Sequence, residues 1–401
     1  MTETADVVIV GGGIEGSAAA WALSARGVTD VVVAERNTVG SGMTGKSSGI
    51  VRCHYGVSSL AAMAAVGLEV FEQPQAFLGE QVTDIGFRQT GYVVGVGEPN
   101  VDSLRKSLAA QRAVGVQTEE IDHADVAKLW PFADLTPFAA FGWEARGGYG
   151  DAYQTAQAFS ASARAAGVRV RQGCAATGLR VDGDRVTGVR LADGTEISAG
   201  TVVVANGVWT RPFLAPYGVD VPIRVIREQI VMIDPGVDAG PVPVFSDLVS
   251  LQYVRAEVGG DILFGNSDLP GYDSIEPADP DDYLNRATDD FVDVTVDKVG
   301  TRFPGFADAA ISGSYAGCYD VTPDWNPVIS QGPMDGLVIA AGFSGHGFKI
   351  APAVGRLVAD IVVDGHSSDP RIPASDFRLS RFAEGDPLKT PYPYVGAGQM
   401  R

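Results

Sequence analysis

Residues 6–16, DVVIVGGGIEG, determine the fold of this chain of 401 residues. The apolar run at their start predicts a buried β-strand, and the glycine-rich turn leads into a helix that begins near Ser17. Gly27 ends the helix, and residues 31–35, VVVAE, predict a second strand. Strand, helix and strand make one βαβ unit, so we expect the two strands to pair in parallel.

The turn GGGIEG has the spacing of a dinucleotide-binding fingerprint. Its glycines permit a tight turn, let the backbone approach a pyrophosphate and let the helix pack closely on the strand. Glu35, at the end of the second strand, can accept hydrogen bonds from ribose hydroxyls. The predicted cofactor contacts are Gly11, Gly13, Ile14, Glu15, Gly16 and Glu35. NAD and FAD share this fingerprint, so the turn does not choose between them.

Two later segments favour FAD. Residues 40–50, GSGMTGKSSGI, form a glycine- and serine-rich loop where an NAD domain would normally have another βαβ step. Residues 202–209, VVVANGVW, resemble the strand of FAD-binding oxidoreductases that returns beside the first strand. The predicted contacts in these segments are Ser41, Thr44, Ser47, Ser48, Gly49, Ala205, Gly207 and Trp209, and Arg36, which follows Glu35, is a further predicted contact.

Composition and charge limit the function classes. Hydrophobic residues make up 45% of the chain and charged residues 20%, which is typical of a well-ordered globular protein with two or three domains. The net charge of −19 repels nucleic acids and anionic membrane surfaces. We therefore expect no nucleic-acid partner, and an anionic substrate would need local cations in its pocket.

Cysteine usage and the N-terminal sequence indicate a cytoplasmic protein. Cys53, Cys174 and Cys318 are far apart, so neither a disulfide framework nor a metal site is expected. Residues 1–6 are acidic, unlike a signal peptide, and no apolar run approaches the ~20 residues that span a bilayer. We expect a cytoplasmic location without membrane insertion.

The middle of the chain indicates a second, interleaved domain. Residues 87–96, 229–233 and 260–264 have the pattern of strands without regular helices between them, which favours an antiparallel sheet. The predicted fold is α/β, with a Rossmann-like FAD-binding domain of the glutathione-reductase type and an interleaved substrate domain on a mainly antiparallel β-sheet. The predicted domains are residues 1–85, 150–215 and 320–380 for FAD, residues 86–149 and 216–319 for substrate, and a C-terminal arm at residues 381–401.

Four segments occur in an order that resembles the D-amino-acid oxidase and sarcosine oxidase superfamily. They are GGGIEG, residues 50–56 (IVRCHYG), residues 319–324 (YDVTPD) and residues 342–349 (GFSGHGFK). The chain resembles the sarcosine oxidase-like and dimethylglycine dehydrogenase-like members in particular.

The resemblance implies a role for several side chains. Arg52 would hold the substrate carboxylate, Lys349 would close the same clamp, and Tyr319 would flank the substrate, because a guanidinium fork and an ammonium both suit a carboxylate. The late glycine loop would lie beside the flavin, where a helix dipole stabilises the anionic reduced ring. Its predicted contacts are Gly342, Gly345, His346, Gly347, Phe348 and Lys349. Two alternatives stay open: Arg52 binds a flavin phosphate or a surface acid, and His346 is structural.

Three positions depart from the pattern of monomeric sarcosine oxidase. Gly317 stands where that enzyme has its flavin-linking cysteine, and Cys318, one residue later, should point to the opposite face of the strand. Leu263 stands where a lysine promotes reaction with oxygen, and Gly49 stands in place of an arginine above the flavin. We therefore expect non-covalent FAD.

The predicted function is FAD-dependent oxidation of a C–N bond in a secondary or N-methylated amino acid, giving an imine that hydrolyses. Electrons would pass to oxygen, giving H2O2, or to an electron-transfer protein. No catalytic base is evident, so Tyr253, Tyr319 and His54 are predicted only to contact the substrate. The alternatives are a flavin-bearing subunit of a hetero-oligomeric amine dehydrogenase and a D-amino-acid oxidase or dehydrogenase. A flavin hydroxylase is disfavoured because no second nucleotide signature is found, and the oligomeric state is left open.

Overall fold

The computed structural model describes residues 2–396, with side chains from residue 3 onward. The helices in this range are α1 (Ile14–Ala25), α2 (Ser58–Glu72), α3 (Pro74–Leu78), α4 (Val101–Ala113), α5 (His123–Leu129), α6 (Ala152–Ala165), α7 (Thr210–Leu214), α8 (Asp289–Arg302) and α9 (Gly347–Asp364). The strands are β1 (Thr2–Val10), β2 (Val31–Ala34), β3 (Ile50–Val51), β4 (Tyr92–Val96), β5 (Glu119–Ile121), β6 (Ala140–Glu144), β7 (Gly148–Tyr149), β8 (Arg169–Arg171), β9 (Ala176–Asp182), β10 (Arg185–Leu191), β11 (Glu196–Val204), β12 (Arg224–Asp234), β13 (Val244–Asp247), β14 (Gln252–Ala256), β15 (Ile262–Asn266), β16 (Ala310–Val321), β17 (Val328–Gln331) and β18 (Leu337–Ala341).

The first sheet has the strand order β17-β18-β11-β1-β2-β8, and β9 and β10 extend it from β11. Strand β1 pairs in parallel with both β2 and β11, which confirms the predicted βαβ unit. Both faces of β1 are buried: Val7 and Ile9 belong to one hydrophobic core, and Val8 and Val10 belong to another. An apolar run without alternation is therefore what this central parallel strand requires.

Helices α1 and α9 pack against each other on one face of this sheet. A Cβ atom at Gly355 would lie 2.4 Å from the carbonyl oxygen of Ala18, so the two helices approach more closely than any larger residue would permit. Likewise, a Cβ atom at Gly16 would lie 1.9 Å from the carbonyl oxygen of Gly11, which explains the third glycine of the fingerprint. Small residues thus fix α1 between the strand and α9.

The second sheet has the order β16-β12-β15-β14-β13-β4-β6-β5. Its pairs are antiparallel except for β4 with β13, so the predicted mainly antiparallel sheet is confirmed. Its strands come from two separate stretches of the chain, and strands of the first sheet lie between them in sequence. The residue boundaries of the two domains stay a prediction.

The described part of the C-terminal arm returns to the segment that follows β3. Tyr394 is buried, and its hydroxyl lies 2.9 Å from Nε2 of His54. The backbone of Val395 exchanges two hydrogen bonds with the side chain of Asn100 in the second sheet's region. The sequence predicted an arm but not this contact. None of the helices in residues 2–396 is long and apolar enough to cross a membrane.

Candidate active site

A cavity of about 480 Å³ lies where the carboxyl ends of β1, β2 and β11 meet β16. It collects predicted cofactor residues from five separate segments of the chain. These are Gly11, Gly13, Ile14, Glu15, Glu35, Arg36, Thr44, Ser47, Ser48, Ala205, Gly207, Trp209, Gly345, Gly347 and Phe348, together with the predicted substrate residue Tyr319. In an open α/β sheet, the carboxyl ends of the strands are where ligands bind.

The other predicted residues do not line this cavity, namely Gly16, Ser41, Gly49, Arg52, His54, Tyr253, Gly342, His346 and Lys349. Ser41 lies in an exposed turn, where its hydroxyl donates to the carbonyl of Thr38 at 2.7 Å. Gly49 has a φ of +68°, and a Cβ atom there would lie 2.0 Å from the carbonyl oxygen of Gly150. A side chain at position 49 is therefore excluded by the backbone itself.

The carboxyl group of Glu15 is buried at the start of α1. Within residues 2–396 neither of its oxygens has a hydrogen-bond partner. Burial raises its pKa well above the usual range, and nearby Asp320 adds to the effect while Lys349 opposes it. A buried polar group without a partner is costly, so this carboxyl suits a bound group that supplies a donor.

The backbone around α1 fits a dinucleotide such as FAD. Gly11 has a φ of +102°, and a Cβ atom there would lie 2.6 Å from the carbonyl oxygen of Ala205. Only glycine therefore allows the turn to pass so close to the end of β11. Thr44 accepts a hydrogen bond from the amide of Ile14 at 2.9 Å, which holds the 40–50 loop against the helix N-terminus. Glu35 accepts from the amide of Gly12 at 2.7 Å. Phosphates would meet the N-terminus of α1 here, and ribose would meet Glu35.

Arg36 and Trp209 close one end of the cavity together. The guanidinium carbon of Arg36 lies 3.9 Å from the centroid of the Trp209 ring. Both side chains donate to the carboxylate of Asp281, Arg36 at 2.9 Å and Trp209 at 3.0 Å. The sequence predicted Arg36 and Trp209 but not Asp281, which comes from the region between β15 and α8.

The late glycine loop is fastened to the end of β16. The carboxylate of Asp320 accepts a hydrogen bond from the amide of Gly342 at 2.7 Å, and burial raises its pKa to about 6 despite several backbone hydrogen bonds. A Cβ atom at Gly345 would lie 2.6 Å from the Tyr319 ring, so the ring packs directly on the loop. Ser344 adopts a φ of 51°, a strained conformation for a residue with a side chain.

Beyond this loop, the predicted clamp residues gather around one ring that the sequence did not single out, Tyr55. The guanidinium of Arg52 lies over the ring and donates to the carbonyl of His54. The ammonium of Lys349 faces the same ring, and His346 packs edge-on against it with centroids 5.2 Å apart. Burial lowers the pKa of Lys349 well below its usual range, and Arg52 lowers it further while Glu15 opposes them.

Glu144 is a buried acid in the same neighbourhood. Its Oε2 atom accepts from the amide of Cys53 at 2.7 Å, which fixes the backbone beside Arg52. Burial raises its pKa to about 7, against the effects of that hydrogen bond and of Arg52. Nothing in its sequence context, the strand AFGWE, indicated a role.

Tyr253 and Arg255 connect the second sheet to the cofactor loop. The ring of Tyr253 covers Gly265, and its hydroxyl interacts with the side chains of Ser48 and Tyr319. Arg255 is buried and donates to the carbonyl of Ser48 at 2.5 Å. It faces Leu263 across the β14–β15 pair, so a cation lies next to the position that the resemblance matches to the lysine of monomeric sarcosine oxidase.

Gly317 and Cys318 point to different faces of β16. Gly317 lines the cavity, and a Cβ atom there would lie 2.7 Å from Cβ of Lys46. Cys318 also borders the cavity, but it pairs across the sheet with Arg227, and burial raises the pKa of its thiol to about 11. A thiol with a raised pKa is a weak nucleophile.

The fold has two sheets, and three features surround one cavity: a dinucleotide fingerprint, a strand that returns beside the first strand, and a late glycine loop. Together they define a flavin-dependent oxidoreductase. The family of FAD-dependent oxidoreductases known as DAO matches residues 6–361, so the chain belongs to this family and FAD is its cofactor.

Individual relatives agree with this assignment. The chain is 28% identical to a 4-methylaminobutanoate oxidase (formaldehyde-forming) from Paenarthrobacter nicotinovorans, over 94% of this chain but only 45% of that enzyme. It is 28% identical to the sarcosine oxidase subunit beta of Rhizobium meliloti, over 95% of this chain and 89% of that subunit. Among solved structures, L-proline dehydrogenase from P. horikoshii superposes with a TM-score of 0.87 at 26% identity, covering 97% of this chain and 100% of that one.

Proposed function

We propose that this chain oxidises a C–N bond of a secondary or N-methylated amino acid, giving an imine that water hydrolyses. The observation that carries the proposal is the pair of buried cations, Arg52 and Lys349, on the Tyr55 ring behind the late glycine loop. In a protein with a net charge of −19, two buried cations without a carboxylate partner within 4 Å among residues 2–396 suit an anionic substrate group.

The remaining residues would orient the amine against the cofactor. Bound FAD supplies a two-electron hydride acceptor. Tyr319 packs on Gly345 at the cavity wall, and Tyr253 reaches Tyr319 and Ser48 from the second sheet. Arg52 and Lys349 would fix the carboxylate end, so that the carbon next to nitrogen faces the cavity, and such positioning contributes most of the expected rate enhancement.

The direct test is an anaerobic screen of the purified FAD-loaded protein. The compounds to be added separately are sarcosine, N,N-dimethylglycine, 4-methylaminobutanoate, L-proline and a set of D-amino acids. Reduction of the flavin would be followed as the loss of absorbance near 450 nm, roughly where oxidised flavins absorb. We expect bleaching by at least one secondary or N-methylated amino acid. Bleaching by D-amino acids alone, or by none of these compounds, would contradict the proposal. Air is then admitted to the reduced protein. Rapid return of the flavin absorbance would indicate that oxygen is the electron acceptor, and slow return would indicate another acceptor.

A second candidate is a flavin-bearing subunit that works with a partner chain in the cytoplasm. The similarity to a sarcosine oxidase subunit beta over most of both chains favours it. Size-exclusion chromatography of the tagged protein with and without extract of its own cells would test it. Turnover by the isolated chain at the same rate as in the extract would argue against a required partner.

A further inference from the structure

Glu228 occupies a position in the second sheet that the proposed mechanism does not yet use. Strands β12 and β16 pair so that Glu228 lies directly opposite Gly317. The preceding residue, Arg227, donates to the carbonyl of Leu284 at 2.9 Å, which fixes its side chain on the outer face of the sheet. Successive side chains of a strand point to opposite faces, so Glu228 points to the inner face, where Gly317 lines the cavity.

Glu228 lies next to the tyrosines of the proposed substrate site, although it does not itself line the cavity. Its carboxyl interacts electrostatically with the hydroxyls of Tyr253 and Tyr319, the two tyrosines of the proposed site. Within residues 2–396 the carboxyl has no hydrogen bond and no ion pair, and its side chain is only half-buried although it lies inside the molecule. Because Gly317 has no side chain, nothing on the opposing strand covers it.

Burial raises the pKa of Glu228 to about 8, and Arg227 opposes this effect. The titratable or charged groups on the elements packed around it include Arg227 on its own strand, Tyr315, Cys318 and Tyr319 on β16, Tyr253 and Arg255 on β14, and Lys46 of the cofactor loop, which lies over Gly317. The ammonium of Lys46 is directed to Asn285 at 2.9 Å. Glu228 is the carboxylic acid in this set, and with a pKa of about 8 it ionises as the pH rises through that value.

We propose that Glu228 binds the substrate ammonium and accepts its proton before the C–N bond is oxidised. This proposal rests on the proposed function. The N–H bond breaks, its electron pair stays on nitrogen, and the proton moves to a carboxylate oxygen of Glu228. The neutral amine would then lose a hydride from the adjacent carbon, which leaves an iminium ion that water hydrolyses, and bound FAD would supply the two-electron acceptor. Arg52 and Lys349 would hold the other end of the same substrate.

The test compares Glu228→Gln and Glu228→Asp with the unaltered holoenzyme in anaerobic stopped-flow experiments between pH 6 and 10. The probes are sarcosine, 4-methylaminobutanoate and L-proline. Glu276→Gln, which removes an exposed acid, is the matched control. We expect Glu228→Gln to lower the rate constant of flavin reduction by about 100-fold or more at pH 8, where about half of Glu228 is ionised. The rate constant of Glu228→Gln should then rise only as the pH approaches the pKa of the free substrate amine. Glu228→Asp should have a rate constant between those of Glu228→Gln and the unaltered protein.

A binding measurement separates this role from a structural one. (Methylthio)acetate has the shape of sarcosine but carries no ammonium, and its binding can be followed through the flavin spectrum. We expect Glu228→Gln to bind it as tightly as the unaltered protein does, but to bind sarcosine at least ~10-fold more weakly. Equal sarcosine binding together with an unchanged pH profile would overturn the role of Glu228 alone. Failure of the unaltered protein to be bleached by any of the three amines would overturn the proposed function, and this role with it.

Discussion

Arg52 and Lys349 lie over the same aromatic ring. The guanidinium carbon of Arg52 is 4.5 Å from the centroid of Tyr55, and the ammonium nitrogen of Lys349 is 6.0 Å from it. Both side chains are buried, and Arg52 contributes to the lowered pKa of Lys349. Two like charges held together in a buried site favour the binding of an anion, because an anion relieves their repulsion.

Replacing Arg52 by alanine should weaken substrate binding far more than FAD binding. Loss of a charge-assisted hydrogen bond of roughly 1.5–3 kcal/mol corresponds to a rise in KM of about 10- to 150-fold. Steady-state kinetics and the ratio of flavin to protein absorbance would measure the two effects. Arg185→Ala, which removes an exposed arginine, is the control. An unchanged KM would show that Arg52 does not hold the substrate.

Lys349 should make substrate binding depend on pH. Its folded pKa lies below the usual lysine range, so the ammonium loses its charge as the pH rises through that lowered value. An anionic substrate should therefore bind best on the acidic side, and KM should rise toward alkaline pH. In Lys349→Met this pH dependence should disappear, whereas the exposed control Lys106→Met should keep it. If KM of Lys349→Met still rises toward alkaline pH, a group other than Lys349 causes the pH dependence.

FAD should be released when the protein is denatured with acid. Gly317 has no nucleophile, and Cys318, which lies opposite Arg227 in the strand register, has a thiol whose pKa burial raises to about 11. After trichloroacetic acid precipitation, we expect the yellow colour in the supernatant and a flavin that co-migrates with FAD in chromatography. A pellet that stays yellow after washing would mean covalent attachment.

Glu144→Gln should stabilise the protein at alkaline pH. The folded pKa of Glu144 is raised to about 7 from a model-peptide value near 4.5, so ionisation between these values favours the unfolded chain. The shift corresponds to at most about 3 kcal/mol at 1.36 kcal/mol per pH unit. Glutamine can still accept from the amide of Cys53. Thermal unfolding should give similar Tm values near pH 4.5 and a higher Tm for the variant at pH 8; a lower Tm at pH 8 would contradict the assignment.

Asp324→Ala should destabilise the whole fold. Asp324 accepts from Arg381 at 2.8 and 2.9 Å and from the amide of Leu388 at 2.9 Å, and both charged side chains are almost fully buried. Removing one partner of a buried ion pair costs about 3–5 kcal/mol because the other charge is left unpaired. Denaturant unfolding would measure the loss, with the exposed Asp335→Ala as control. A loss below ~1 kcal/mol would mean that water replaces the aspartate.

The sequence predicted the fold class and the elements that carry their own motifs, but it did not predict several side chains that the second sheet brings to the site. The first strand, turn and helix follow from neighbouring residues, and the late loop follows from its own glycines. Glu228, Arg255 and Tyr55 were not found, because their importance depends on partners far away in the chain. Only the register of β12 with β16 places Glu228 opposite Gly317, and local patterns do not specify the register of two distant strands.

The late glycine loop also has a consequence for how the protein is made. Strand β11 pairs with β18, and residues 345–348 complete the wall of the cavity, although the fingerprint at residues 11–16 leaves the ribosome first. A nascent chain that lacks β18 and the loop leaves residues 202–204 of β11 unpaired on one side and leaves the cofactor pocket incomplete. We therefore expect the chain to bind FAD only late in synthesis, and we expect the unpaired strand edge to favour aggregation until then.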